Sequence, residues 1–193
     1  MWASKDQSGC LRLDEGLVRF STAFRIDSVT RMYALDLTLD SKMNIRPYEA
    51  KDWDRVCDLH DAARRDELVA AGLADAYLTL AETAKNEGFL EYEIRLAEVN
   101  GKVLGFVAFT QEELAWLYVD PAAYRSGVGT SLIRAALEET MSPLTAQVLL
   151  GNNAALATYR KAGFEIVGEA SGRMPGNESF QVSVTELRHP GAA

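Results

Sequence analysis

Cysteine and histidine are scarce in this chain of 193 residues, with two of each: Cys10 and Cys57, His60 and His189. Two cysteines do not make a disulfide framework. With the histidines far apart in sequence and no CxxC or HExxH pattern, no metal site is expected. No apolar run approaches the ~20 residues that span a bilayer. The N-terminus lacks the basic-then-apolar pattern of a secretory signal, so a soluble cytoplasmic protein without membrane partners is expected. Positive charge is also short. Lys and Arg number 20 against 28 Asp and Glu, for a net charge of −8. That balance argues against broad nucleic-acid binding, which neutralises phosphates with many basic side chains. It slightly favours a cationic partner, although an acidic surface also serves solubility.

What is present is a core. A hydrophobic content of 48% over this length supports one substantial domain. Residues 1–42 show no clean period and no capping signals, and read as an N-terminal extension ahead of a domain at 43–190. Asn44 to Arg46 reads as a strand and Lys51 to Asp61 as a helix with an apolar stripe of Trp53, Val56, Cys57 and Leu59. A second helical stretch is expected near Asp75 to Lys85. Glu91 to Val99 and Lys102 to Thr110 read as strands joined by Asn100-Gly101, the pair favoured in type I′ hairpin turns. Leu114 to Val119 is the next strand. Val128, Leu132, Ile133, Ala136 and Leu137 give the following helix a buried face, ended by Ser142-Pro143. Ala146 to Leu150 is a short strand and Asn152 to Ala162 a helix closed by Gly163. Phe164 to Val167 and Phe180 to Leu187 form a closing antiparallel pair. The order is that of a mixed α/β sheet with no internal repeat.

The stretch LAWLYVDPAAYRSGVGTSLIRAALEE, from Leu114 to Glu139, joins an apolar strand to a helix through a glycine-containing turn. Backbone N–H groups around Ser126, Gly127, Val128 and Gly129 point outward at the helix start, where the helix dipole also favours an anion. Gly127 and Gly129 lack a Cβ, so a diphosphate can approach the backbone closely. Further on, GNNAALATYRKAGFEIVG spaces Asn152, Ala155, Tyr159, Gly163 and Phe164 as one helical face, a stop and a strand.

These two motifs, in this order, resemble the GNAT superfamily of N-acetyltransferases, over about Met43 to Leu187. The resemblance implies an acyl-CoA N-acyltransferase fold of the α/β class, with a central mixed, mostly antiparallel sheet flanked by helices. It also implies acetyl-CoA as co-substrate. One position departs from the pattern: where the family's turn carries Arg or Gln, this chain has Tyr124, with Arg125 one place later. The resemblance implies that the strands Leu114 to Val119 and Ala146 to Leu150 splay apart, so that the pantetheine arm meets backbone groups as an added strand would. Backbone at Leu117, Tyr118 and Val119 would then face the acetyl oxygen, while the Leu117 and Val119 side chains pack in the core. Arg125, Ser126, Gly127, Val128, Gly129 and Thr130 would hold the phosphates, Ala155 and Tyr159 would line the cofactor, and Asn152 caps its helix, either alone or together with a contact to the cofactor. Arg134, Arg160 and Lys161 read as surface residues.

Acyl transfer from a thioester to an amine needs a held carbonyl, a neutral amine and a proton for the leaving thiolate. Tyr159, leaning back toward the start of its helix, is the candidate general acid. A carboxylate near the amine is expected as base. Glu112 and Glu113 alternate in direction at the entrance of the strand, a bulge can swap which of them points inward, and Glu113 is the choice. Asp61, Asp66 and Glu67 are a charge cluster that attracts a cationic acceptor or merely forms a solvated helix end. Neither cysteine lies near the motifs, so direct attack without an acyl-enzyme is expected.

Two other readings stand beside the N-acetyltransferase acting on a small-molecule or peptide amine. One is a non-catalytic acyl-CoA-binding sensor or interaction module on the same fold. The other is a nucleotide-binding protein, which the missing P-loop lysine and missing GxGxxG disfavour. Oligomeric state, a homodimer included, is left open because Trp2, Trp53 and Trp116 suit either core or interface.

Overall fold

The computed structural model describes residues 42–141 and 143–191. The expected extension at 1–42 therefore lies, but for its last residue, outside the described residues, as do Trp2, Cys10 and the Ser142 half of the expected helix stop. Seven strands make one sheet: β1 (Asn44–Pro47), β2 (Glu93–Val99), β3 (Lys102–Phe109), β4 (Glu113–Val119), β5 (Leu144–Leu149), β6 (Glu165–Met174) and β7 (Asn177–His189). Their order across the sheet is β1-β2-β3-β4-β5-β7-β6. Every neighbouring pair is antiparallel except β4 with β5, the one parallel contact. This is the mixed, mostly antiparallel sheet the sequence implied.

Four α-helices are found among the described residues: α1 (Trp53–Ala70), α2 (Leu80–Thr83), α3 (Val128–Glu139) and α4 (Asn153–Lys161). The sheet is buried on both faces. On one face α3 and α4 pack over Val107, Phe109, Leu114, Ala146 and Leu187. On the other, α1 and α2 pack over Leu96, Phe106, Ala108 and Trp116. The β2–β3 hairpin forms as expected, with Asn100 at φ 52° and Gly101 at φ 76°, the left-handed pair that a type I′ turn requires.

Four elements differ in extent from the expectation. The first long helix runs nine residues beyond Asp61, because Ala62, Ala63, Arg64, Arg65, Glu67 and Leu68 favour helix and Ala63 and Leu68 continue its buried stripe. It stops in a Schellman motif: Gly72 at φ 72° donates to Val69 O at 3.1 Å, and Leu73 N donates to Leu68 O at 2.7 Å. The stretch near 75–85 is a 3₁₀ turn followed by the single turn of α2, since Thr79 and Glu82 form a capping box that starts a new helix there. β6 and β7 are longer than their apolar cores, and β6 is a sheet edge whose alternation is blurred by exposure.

α3 lies directly on β3 at Gly105. A Cβ built there meets Tyr118 O at 2.8 Å, Val128 Cγ1 at 3.0 Å and Leu132 Cδ1 at 3.2 Å. Two of these atoms belong to the helix that carries the glycine turn, and the third is β4 backbone. Gly105→Ala is expected to cost ~1–3 kcal/mol of overpacking, read as a lower urea midpoint at unchanged m-value. An unchanged midpoint would show that α3 shifts without cost.

Candidate active site

The site begins where the parallel ladder fails. β4 and β5 pair only at Glu113 with Thr145 and Leu114 with Ala146. Beyond those two pairs, Ala115 to Val119 bond only to β3, and Gln147 to Leu149 only to β7. One edge of each strand is thereby left without a ladder partner, in a fork that opens toward the starts of α3 and α4. The cause is visible in the register. Ala108 faces Trp116 while Phe109 faces Leu114, so Ala115 is an extra, bulged residue. The bulge also reverses the side-chain alternation. Leu114, Leu117 and Val119 face the α3–α4 core, whereas Trp116 and Tyr118 face the α1 side.

The glycine turn closes one end of the fork. Asp120 caps it by accepting from Ala122 N at 2.9 Å, and Arg55 of α1 holds the same carboxylate at 2.5 Å. Arg125 adopts φ 63° and Gly127 φ 92°, which aims the chain into α3 at Val128. The Gly127 position opens onto free space, with no atom within 4 Å of a built Cβ. The first N–H groups of α3 have no intrahelical acceptor, and this open approach fits a diphosphate. α3 and α4 meet where Gly129 faces Thr158, 3.3 Å from a built Cβ. Tyr124, at the departure from the family pattern, donates its hydroxyl to Asp66 Oδ2 of α1 at 3.1 Å. Burial and that carboxylate together raise its pKa above the ordinary phenol value.

Asn152 caps α4, its Oδ1 accepting from Ala155 N at 3.1 Å. Two turns on, Tyr159 is 5% exposed, with its ring edge-on to Phe164 at 5.2 Å. Its hydroxyl has no hydrogen-bond partner among the described residues, and burial, with a smaller contribution from Glu67, raises its pKa.

On the α1 side of the fork lies a cleft of about 310 Å³, lined by His60, Arg64, Glu87, Tyr92, Glu113, Trp116, Tyr118 and Gln147 among others. Glu113 lines it, and its Oε1 accepts from the Tyr92 hydroxyl at 2.8 Å. The carboxylates that sequence reasoning offered as a loose attracting cluster are instead structural. Asp61 accepts from Leu80 N at 2.8 Å and pairs with His60 Nδ1 at 2.8 Å. Asp66 takes Tyr124. Glu67 pairs with Arg64 at 2.6 Å and accepts the Tyr118 hydroxyl at 3.0 Å. Burial lowers the His60 pKa, so the ring is neutral near pH 7 and donates through Nδ1.

Sequence reasoning missed Tyr92 and Glu87. Both lie outside the two motifs, in a stretch whose chain path only the packing of α2 and β2 determines. Arg134, Arg160 and Lys161 take no part in the cleft, and Trp53 and Trp116 belong to the core on the α1 side.

Residues 90–166 match the acetyltransferase (GNAT) domain family. The chain is 31% identical over 109 residues to the peptidyl-lysine N-acetyltransferase YjaB of Salmonella typhimurium, covering 56% of this chain and 63% of that protein. It thus spans less than two thirds of that relative's length. In solved structures the fold is that of a GCN5-related N-acetyltransferase from Rhodopseudomonas palustris, with a TM-score of 0.64 and 19% identity over 78% of this chain and 96% of the other. YncA from Salmonella typhimurium, solved with acetyl-CoA, gives a TM-score of 0.58 at 18% identity, over 79% and 98% of the two chains. Acetyl-CoA is the co-substrate of this family. The GNAT match at 90–166 spans the hairpin, the fork and both motif helices, and the solved structures share the fold around them.

Proposed function

We propose that this protein transfers an acetyl group from acetyl-CoA to a primary amine by direct attack, in the cytoplasm, with residues 43–190 as the working unit. The observation that carries the reading is the fork. Its splayed strands border a cleft that Glu113 lines, and they lead directly into the open turn at Gly127 and the helix that carries Tyr159. The lysine amine named for the Salmonella relative is of the same chemical class, and a small-molecule amine fits equally.

In this reading the turn from Arg125 to Thr130 binds the diphosphate. Backbone N–H at Leu117 to Val119 stabilises the charge that develops on the carbonyl oxygen, and Asn152 and Ala155 set the start of α4 against the arm. Glu113, directly or through one water, removes a proton from the acceptor ammonium, leaving a lone pair free to attack. As the new C–N bond forms and the C–S bond breaks, Tyr159 gives its hydroxyl proton to the sulfur; the acylated nitrogen then sheds its excess proton, which restores the Tyr159 phenol through water, and Glu113 releases its proton to solvent. Arg55 and Asp120 act only by holding the turn.

The test is thermal unfolding with acetyl-CoA, and with ATP and NAD as controls. At ~100 times its dissociation constant a ligand adds ~2.7 kcal/mol of stability. A rise with acetyl-CoA alone, followed by amine-dependent thiol release, is expected, and the same rise in a chain lacking residues 1–42 would support the assigned start. Binding without thiol release from any amine would instead favour a sensor, and no shift would remove the acetyl-CoA reading.

A further inference from the structure

The cleft beside the fork contains one carboxylate with no hydrogen-bond or ion-pair partner among the described residues. Of the charged groups lining it, Arg64 is already paired with Glu67, which also receives the Tyr118 hydroxyl. Glu113 is occupied by the Tyr92 hydroxyl and serves the reacting amine. Glu87 remains. It sits half-buried in the turn after α2, its backbone N–H bonded to Thr83 O at 2.9 Å, while its carboxylate has no partner among the described residues. Burial pushes its pKa up, and Arg64 pulls it only partly back.

A half-buried carboxylate without a partner carries a desolvation cost that a bound cation relieves. The charge balance through the reaction shows which cation. The acceptor enters as an ammonium and loses its proton to Glu113, so at the moment of attack the amine and Glu113 are both neutral. Glu87 is then the cleft's uncompensated charge. A simple monoamine has nothing left to offer it, whereas an acceptor with a second positive group does. Tyr92, Trp116 and Tyr118 line the same cleft, and aromatic faces attract a cation within ~6 Å. The cleft volume, near the lower end of the ~300–1,000 Å³ usual for ligand pockets, suits a short acceptor or the tip of a longer one.

We infer that Glu87 is a specificity residue that holds a second cationic group, so that the acceptor is a dication: a diamine, or an amine beside another fixed positive charge. This inference rests on the acetyltransferase reading above. Nothing in the two motifs carries it, because Glu87 lies outside both.

The experiment compares n-butylamine with 1,4-diaminobutane, equal in carbon chain length and different by one ammonium, as acceptors for the full chain with acetyl-CoA. Wild type is expected to favour the diamine by ~10-fold or more in kcat/KM, an effect between those of exposed and desolvated charge pairs. Glu87→Gln, which keeps the shape and removes the charge, is expected to bring that ratio close to one through a raised diamine KM. The acetyl-CoA thermal shift, measured on both proteins, reports that the variant is folded and binds its co-substrate. Equal use of the two amines by wild type, a preference that survives Glu87→Gln, or no turnover of either amine despite an intact acetyl-CoA shift would each overturn the inference. Absence of the acetyl-CoA shift in wild type would overturn the acetyltransferase reading and this inference with it.

Discussion

Replacing Glu113 with Gln is expected to lower kcat by ~10²-fold or more at neutral pH, with the KM for acetyl-CoA little changed. The amide is nearly isosteric and still accepts the Tyr92 hydroxyl through its oxygen, so cleft geometry persists while the capacity to take a proton is lost. Because an alkyl ammonium has a pKa near ~10, the neutral amine makes up only about a thousandth of the acceptor at pH 7. Without a base, the reaction depends on that fraction. The loss should therefore shrink as pH rises toward ~10, where solvent has already done the deprotonation. A parallel pair of pH–rate profiles for wild type and variant, rather than converging ones, would remove Glu113 from the proton path. Tyr92→Phe separates positioning from chemistry. It removes the hydroxyl that orients Glu113, and a smaller kcat loss that does not converge with wild type at high pH would identify Tyr92 as a positioning residue.

The elements around this site were legible in the sequence to different degrees, and the differences have physical causes. The β2–β3 hairpin was readable because Asn100-Gly101 is a local backbone demand. The cap at Asn152 and the stop at Gly163 were readable for the same reason. The lengthened α1 was not, because Arg64, Arg65, Asp66 and Glu67 interrupt the apolar stripe with charge, and what keeps them helical is packing and a Schellman stop at Gly72. That misjudged length matters for function. The added turns carry Arg64 to the cleft wall and Asp66 to Tyr124. The splay of β4 from β5 was expected only through resemblance, since no pattern within Leu114 to Val119 announces a bulge at Ala115. Glu87 was invisible for a deeper reason: a carboxylate in a turn looks solvated until tertiary structure buries it. Tyr124 is a different case. The departure at the first turn position was plain in the sequence, but that its hydroxyl docks on α1 and leaves the turn backbone open required coordinates.

Tyr159→Phe is expected to reduce kcat at least ~10-fold while leaving the acetyl-CoA thermal shift in place. The separation follows from where the residue sits. Its ring packs edge-on against Phe164 within the α3–α4 core, and phenylalanine preserves that packing. Its hydroxyl has no hydrogen-bond partner among the described residues, so its removal orphans no protein group, and the stability change should be small. What is lost, in the proposed mechanism, is the proton donor to the sulfur. Burial, and to a lesser degree Glu67, raises the pKa of Tyr159 above its usual value near 10. The sign of that shift keeps the phenol protonated through neutral and mildly alkaline pH, so ionisation of Tyr159 should produce no fall in wild-type kcat below pH ~10. An unassisted thiolate, with a pKa near ~8.5, is only a moderate leaving group. The penalty of Tyr159→Phe should therefore grow with acceptors whose attack is readily reversed, and it should diminish when acetyl-CoA is replaced by a thioester of a more acidic thiol. A variant that loses the same factor with both thioesters would place the role of Tyr159 in packing the fork rather than in protonating sulfur.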